Sequence, residues 1–246
     1  MLGRSVARHW RRAARDAVDA PLSVIRRQRN DARALRSHLD TLIAVGDERL
    51  SLPLPGNTAF PRPNGTDWAW RPDQFRLPVT QKGIAGVENR QEFGSGVTVF
   101  HDCAESEITL RQIRNLREED LAAYGLRMDV MHFDGSFLSL VLDLPPESAE
   151  GLKKRHLIRL DAIIEAERPL EIFARLNVQH GPNTEQIVRE LPLQDGAVAA
   201  EFDLAYTELN EKRAERMWLE FIFEGPEMNQ VTLRDLTLCR FPRAEL

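Results

Sequence analysis

Residues 156–178 read HLIRLDAIIEAERPLEIFARLNV. Ile158, Leu160, Ala162 and Ile164 occupy alternate positions, and Leu170, Ile172, Ala174, Leu176 and Val178 repeat the pattern. Residues two apart share one face of a β-strand, whereas a helix would bring together residues three and four apart. The stretch therefore predicts two strands, each with one face in a core and one in water.

The same alternation runs outward in both directions. It begins near residue 79 with Val97, Val99 and Ile108–Leu110. Arg127–Phe133 and Phe137–Leu144 follow, read as a pair split by the turn Asp134-Gly135-Ser136 and ended by Pro145 and Pro146. Downstream come Ile187 and Leu191, Phe202 and Leu204, then Met217, Leu219, Phe221 and Phe223. The last strand, Val231–Arg240, changes parity between Leu233 and Leu236, which predicts a bulge near Asp235. Helical candidates are few: Glu118–Tyr124 and Ala149–Lys154. About ten strands at mostly hairpin spacing, without intervening helices, predict an antiparallel β-sandwich or jelly roll over residues 79–246.

Residues 46–78 form a different segment. Six of the 14 prolines fall between Pro53 and Pro78, so no helix survives there. Phe60, Trp68, Trp70 and Phe75 lie in the same stretch, which predicts an extended strap pinned to the body by its aromatic rings. A stacking platform for a sugar or base is the alternative use of those rings.

Residues 1–45 form an N-terminal α-helical extension. On a helical projection Leu2, Val6 and Trp10 share one side, and Arg4, Arg8, Arg11, Arg12 and Arg15 the other. Pro21 starts a second helix whose stripe includes Leu35, Leu39 and Leu42, with Gly46 as the expected stop. Ten arginines against four aspartates give this arm a charge of +6, so the other 201 residues carry −11. A basic amphipathic arm on an acidic body points to docking. The candidate partners are an acidic protein surface, a larger membrane-associated complex, or an anionic membrane surface. A lightly packed solvated helix and a targeting presequence are the other readings. Arg outnumbers Lys 29 to 4 over the whole chain, which coding bias explains, but bias does not place the surplus charge at one end.

Composition and motifs exclude several classes. The chain has 246 residues, 42% hydrophobic and 29% charged, unlike collagen or a wholly disordered chain. No apolar run is long enough for a spanning helix. Two cysteines make neither a disulfide framework nor a four-thiolate zinc site. With no signal peptide legible in residues 1–20, the expected location is cytoplasmic, with attachment at the membrane periphery as the variant. No phosphate loop, dinucleotide fingerprint, nucleophile elbow or His-Glu-x-x-His motif occurs. The acidic body argues against nucleic acid, and no cofactor is expected.

Four constellations remain. His101-Asp102-Cys103 alternate across a strand and cannot easily meet one ion, so no metal site is expected. Glu201 and Asp203 share a strand face, but Tyr206 stands where a glycosidase strand would need its second Glu. The loop His180–Glu185 with its flanking strands gathers Arg175, Asn177, His180, Asn183, Glu185 and Arg189, groups that suit sugar hydroxyls or carboxylates; an Asn-supported turn with strand-surface ion pairs is the alternative. Asn210-Glu211-Lys212-Arg213 is a charged turn.

The stretches Phe133–Leu140, His180–Gln186 and Asn210–Arg213 resemble an uncharacterised bacterial family of unknown function, over nearly the whole chain; that resemblance implies no activity. The C-terminal half is similar in rhythm to the galactose-binding-like jelly rolls of carbohydrate-binding modules, with Val231, Leu233, Asp235 and Leu236 as the closing strand. These readings lead to a non-enzymatic jelly-roll accessory protein docked through its basic helices. The alternatives are a carbohydrate-binding protein taking a glycan and, third, a glycan-active enzyme resting on Glu201 and Asp203.

Overall fold

The computed structural model describes residues 2–50, 53–193 and 196–243, and the chain divides into two compact units at residues 51 and 52. The first unit holds α1 (Leu2–Asp16) and α2 (Leu22–Leu50). In α1, Arg8, Arg11, Arg12 and Arg15 are exposed, Val6 is half exposed, and Trp10 and Ala13 are partly covered, as is Ala17 just beyond its end. The side chains of Leu2 and Arg4 lie outside the described residues. The Pro21 carbonyl accepts the amides of Val24 and Ile25, opening α2 as expected. Leu35 is partly covered, but Leu39, Leu42 and Ile43 are exposed, Leu42 at 66%. Gly46 is not the stop: α2 runs on to Leu50. A single glycine costs a helix only about 1 kcal/mol relative to alanine, whereas Pro53 lies just beyond the observed end and cannot continue it.

The second unit is mainly β, an antiparallel sandwich. Its strands are β1 (Trp68–Trp70), β2 (Gly83–Ala85), β3 (Gln91–Glu92), β4 (Val97–His101), β5 (Ile108–Arg114), β6 (Tyr124–Val130) and β7 (Leu138–Asp143). Then come β8 (His156–Ala166), β9 (Glu171–His180), β10 (Asn183–Glu190), β11 (Ala197–Asp203), β12 (Ala214–Glu224) and β13 (Asn229–Pro242), with one short helix, α3 (Asp73–Arg76). The first sheet has the order β11-β8-β13-β6-β5-β2, with β1 also on β13; the second has the order β10-β9-β12-β7-β4-β3. From β2 onward, apart from the hairpins β3–β4, β5–β6 and β9–β10, strands successive in the chain lie in different sheets, as in a jelly roll. The alternating residues quoted first do face the core: Ile158, Leu160 and Ile164 of β8 and Ile172, Ala174, Leu176 and Val178 of β9 are buried, one set on each sheet.

Four further local expectations are corrected. The proline-rich stretch is not free of helix: α3 forms between Pro72 and Pro78, with Pro72 at its N-cap, where a missing amide breaks no helical bond. Asp134-Gly135-Ser136 does not join a paired hairpin: β6 belongs to the first sheet and β7 to the second. The turn is bent around Asp102, whose carboxylate accepts the amides of Ser136 (2.6 Å) and Phe137 (3.2 Å) and the Ser136 hydroxyl (2.6 Å). A Cβ on Gly135 would approach Asp102 Oδ1 to 2.5 Å, so only glycine fits. Glu118–Tyr124 is not helical; it turns, with the Asp120 carboxylate accepting the Arg117 amide at 2.9 Å, and β6 begins at Tyr124. Ala149–Lys154 is likewise turn, preceded by one 3-10 turn at Pro146–Ser148.

The expected bulge is present. The pairing of β13 with β8 shifts between Leu233 and Asp235. Residues 231–240 are buried throughout: the strap lies over Asp235 and Thr237, and Asp120 of the turn before β6 covers Arg234. β13 pairs with β6 through Asn229–Leu233 and with β1 through Leu238–Arg240. Asn115 fills the fork, its Nδ2 directed at the carbonyls of Ala122, Tyr124 and Arg234. The aromatic pins are partly as expected: Phe75 is fully buried, and Trp68 and Trp70 stack with centroids 6.4 Å apart against the core. The main lock was not foreseen. Arg71 donates through Nε and Nη2 to the two oxygens of Asp235, both at 2.8 Å, and through Nη1 to the Asn57 carbonyl at 3.0 Å.

Removing one member of a buried ion pair leaves the other charge unpartnered, at a cost of about 3–5 kcal/mol. Arg71→Ala is expected to lose stability of that order in urea unfolding. Arg36→Ala, which removes the exposed Arg36–Asp40 pair of α2 (3.4 Å), is expected to change it by less than about 1 kcal/mol.

Candidate functional site: the outer face of the second sheet

The pleat of the second sheet sorts its residues. Along β9 the even-numbered side chains from Ile172 to His180 point into the sandwich, and Phe173, Arg175, Asn177 and Gln179 point out. Along β12, Met217, Leu219, Phe221 and Phe223 are buried, so Trp218, Glu220 and Ile222 face out beside them. The register sets Trp218 across from Asn177 on β9 and from Asp143 on β7, and Glu220 across from Arg175 and Val141. On the edge strand β10, Gln186 lies opposite Asn177.

The groups are already ordered among themselves. Gln186 Nε2 donates to Asn177 Oδ1 at 3.0 Å, and Asn177 Nδ2 donates to the Arg175 carbonyl at 3.2 Å. Arg175 donates through Nε and Nη2 to Glu220 Oε2 at 2.9 and 2.5 Å. Arg216 bonds Asp143 Oδ1 at 2.5 Å, and its guanidinium stands 5.3 Å from the Trp218 ring centre. The next row across the strands is Phe173, Ile222, Ser139 and Phe100. A half-buried indole framed by amides, guanidiniums and carboxylates offers an apolar plane and planar hydrogen-bonding groups together. Hydroxyl-rich rings present the complementary surfaces, C–H groups on a face and hydroxyls at the edge.

Of the residues expected to bind a ligand, only Arg175 and Asn177 belong to this face. His180 is buried at the inner end of β9, where Nδ1 accepts the Asn210 amide (3.3 Å) and Nε2 lies 3.4 Å from Glu185 Oε1. Glu185 Oε2 accepts the Glu208 amide (3.1 Å), so this pair staples the β9–β10 hairpin to the segment before β12. Asn183 is exposed at the turn. Arg189 Nε donates to the Glu201 carbonyl (2.9 Å), bridging the edges of the two sheets. The six do not form one site because period two puts odd- and even-numbered residues of β9 on opposite faces. Trp218, Gln186 and Glu220 were missed, although the alternation of Met217–Phe223 already implied an outward Trp218.

The other constellations are held within the fold. His101 Nε2 donates to the Val87 carbonyl (2.8 Å) and Nδ1 accepts the Cys103 amide (3.2 Å), so neither nitrogen is left for a metal. Burial pushes the Cys103 thiol up, away from ready thiolate formation. Glu201 lies 3.6 Å from Arg159, and Asp203 caps the Ala205 amide (2.9 Å) and meets Arg243 (3.2 Å). Asn210 Oδ1 accepts the Lys212 amide at 3.2 Å. Among the described residues no three His, Cys, Asp or Glu side chains gather as a metal site.

One family model matches residues 1–246, and its description is a family of unknown function (DUF6478). No curated protein matches the sequence. Among solved structures, the family 11 carbohydrate-binding module from Clostridium thermocellum, in complex with a β-1,3-1,4-mixed-linked tetrasaccharide, is 12% identical, with 69% of this chain and 99% of that one covered at a TM-score of 0.42. The CBM22-1 xylan-binding domain from Paenibacillus barcinonensis Xyn10C is 11% identical, with 76% and 100% covered at 0.39. The enzymatically active domain of tailspike protein 4 from bacteriophage CBA120 is 11% identical at 0.43 over 63% of this chain, which spans only 21% of it.

The bonds to Asp102, first the Ser136 hydroxyl, hold its carboxyl below the usual carboxylate range. A depressed value stabilises the turn above the ordinary carboxylate pKa, and that contribution is lost as pH falls through the lowered one. Hydrogen-exchange protection at the Ser136 and Phe137 amides is expected to hold from neutrality to about pH 4 and to fall below it. In Asp102→Ala it is expected to be absent at every pH.

Proposed function

We propose that this chain, which belongs over its full length to the family of unknown function DUF6478, is a non-catalytic glycan-binding β-sandwich protein. Its platform is the outer face of the second sheet. The observation that carries this reading is Trp218, half-buried in a central strand with Asn177 on one neighbour and Asp143 on the other. A sugar ring laid on the indole meets the exposed Gln186 amide at one edge, held in place by the buried Asn177, and the Arg216–Asp143 pair at the other. Strands rather than loops hold these groups, so little ordering is needed on binding. The non-catalytic part rests on the carboxylates. Asp143 and Glu220 each face an arginine, not a second carboxylate with which to divide acid and base roles.

Trp218→Ala is expected to weaken binding of a soluble glycan at least tenfold, or about 1.4 kcal/mol, while the urea midpoint barely moves. Asn177→Ala is expected to weaken it less. Calorimetric titration against mixed-linked β-glucan, xylan and β-1,4-galactan measures both. A folded wild-type chain that binds none of them overturns the reading, and hydrolysis of a bound glycan overturns its non-catalytic part.

The helical unit carries a second role in our reading: attachment to an anionic membrane surface. The supporting observation is that α1 exposes Arg8, Arg11, Arg12 and Arg15 together, while α2 leaves Leu39, Leu42 and Ile43 uncovered. Each basic residue near an anionic leaflet contributes roughly 1 kcal/mol. The full chain is expected to float with phosphatidylglycerol vesicles and not with phosphatidylcholine ones, and replacing those four arginines by glutamine is expected to abolish flotation. A chain that stays with the soluble fraction in both cases transfers the role to an acidic protein surface.

A further inference from the structure

We propose that a second, separate site lies on the opposite side of the sandwich, a cleft that takes a small amphipathic anion: an acidic headgroup on an apolar body. The cleft has a volume of about 580 Å³, within the range that accommodates small-molecule ligands. It lies between the strap at Phe60–Pro63 and the outer face of β8, β11 and β13. Ala197 and Ala199 of β11 leave room on the sheet, and Phe60, Pro61, Pro63 and Ile163 supply apolar walls.

The walls are set before any ligand arrives. Arg71 grips Asp235 on the sheet side and the Asn57 carbonyl on the strap side, and its guanidinium stands 5.0 Å from the Phe60 ring centre. Arg159 closes on Asp161 through three contacts of 2.8 to 3.1 Å. Both carboxylates that line the cleft are thus already matched by guanidiniums. Arg62 is different. Its guanidinium lies 5.0 Å from the Phe60 ring centre, it is exposed, and among the described residues no carboxylate pairs with it. Arg159 also stands 3.6 Å from Glu201, so of the two guanidiniums that line the cleft Arg62 is the one left without a carboxylate partner, beside apolar walls. Arg62 and Arg159 both line the cleft. A headgroup there meets a planar fork of donors, and the body of the ligand lies along the prolines, Ile163 and the alanines.

The test uses the full chain and the dye 8-anilinonaphthalene-1-sulfonate, an apolar ring system with one fixed negative charge. Saturable fluorescence enhancement is expected, reversed by decanoate and not by the uncharged decanol at equal concentration. Ala199→Trp fills the cleft from an exposed position on an edge strand, and Arg62→Glu reverses the unpaired charge. Each is expected to weaken dye binding at least tenfold, with Ala197→Trp as a second filling variant should the first disturb the fold, as read by circular dichroism. Trp218→Ala, on the other face, is expected to leave dye binding unchanged. Absence of saturable binding to the folded chain overturns the proposal. So does binding that survives both Ala199→Trp and Arg62→Glu, since the dye then sits elsewhere. Failure of the glycan titrations leaves this result untouched, because the two sites share no residue.

Discussion

The buried pair of Arg71 and Asp235 joins two segments 164 residues apart and lets the sandwich keep a central strand covered on both faces. β13 carries its bulge beside Asp235, where the register on β8 shifts and the strand parts from β6. A strand covered on one face only would alternate; residues 231–240 do not, because the strap and the turn that carries Asp120 lie over the second face. Within the strap β1 pairs with β13, but the proline-rich stretch before it has few amides to pair. It is held instead by one side chain that satisfies a carboxylate and a carbonyl at once, and by Asp67, which meets Arg240 at 2.8 Å. A guanidinium suits this work because its donors are fixed in a plane and it stays charged when buried. Arginine at Arg71, Arg159, Arg175 and Arg234 reaches a carboxylate through two nitrogens, or through two bonds to one oxygen. Whatever produced the ratio of 29 Arg to 4 Lys, lysine would not substitute at these positions.

What the sequence showed and what it hid have a common cause. Alternation depends only on neighbours along the chain, so the strands of the core and the parity change at Asp235 were legible. Which sheet a strand joins depends on partners far away. The turn at residues 134–136 read as a hairpin because Gly and Asp usually make one, yet Asp102, 34 residues upstream, uses the same residues to carry the chain between sheets. Gly46 read as a stop because glycine often ends helices, and a run of good helix formers outweighed it. The strands β1, β2 and β3 have two or three residues each, too few to show a period.

The site was half legible for a related reason. Arg175 and Asn177 are both odd-numbered on β9 and face outward together; His180, even-numbered, had to turn inward. Chemical type drew six residues into one group, and the pleat divided them. Trp218 went unnoticed because its apolar neighbours Met217 and Leu219 were counted as core, and a tryptophan among them looked like more of the same. Period two fixes its direction without further information, so the missing step was to ask which large side chains the core pattern leaves outside.

The two outer faces of the sandwich are built from the same parts and differ in what they leave unmatched. On the second sheet Arg175 meets Glu220 and Arg216 meets Asp143, so the charges around Trp218 balance. A neutral partner rich in hydroxyls gains the amide and pair edges there without having to shed a charge. On the first sheet Arg159 meets Asp161 and Glu201, and Arg71 meets Asp235, but Arg62 has no carboxylate partner among the described residues. An anion is favoured there because it supplies the missing charge, and a neutral sugar would leave Arg62 as it found it. The preference of each face thus follows from which guanidinium its carboxylates leave unpaired, and Arg62 alone separates the two results.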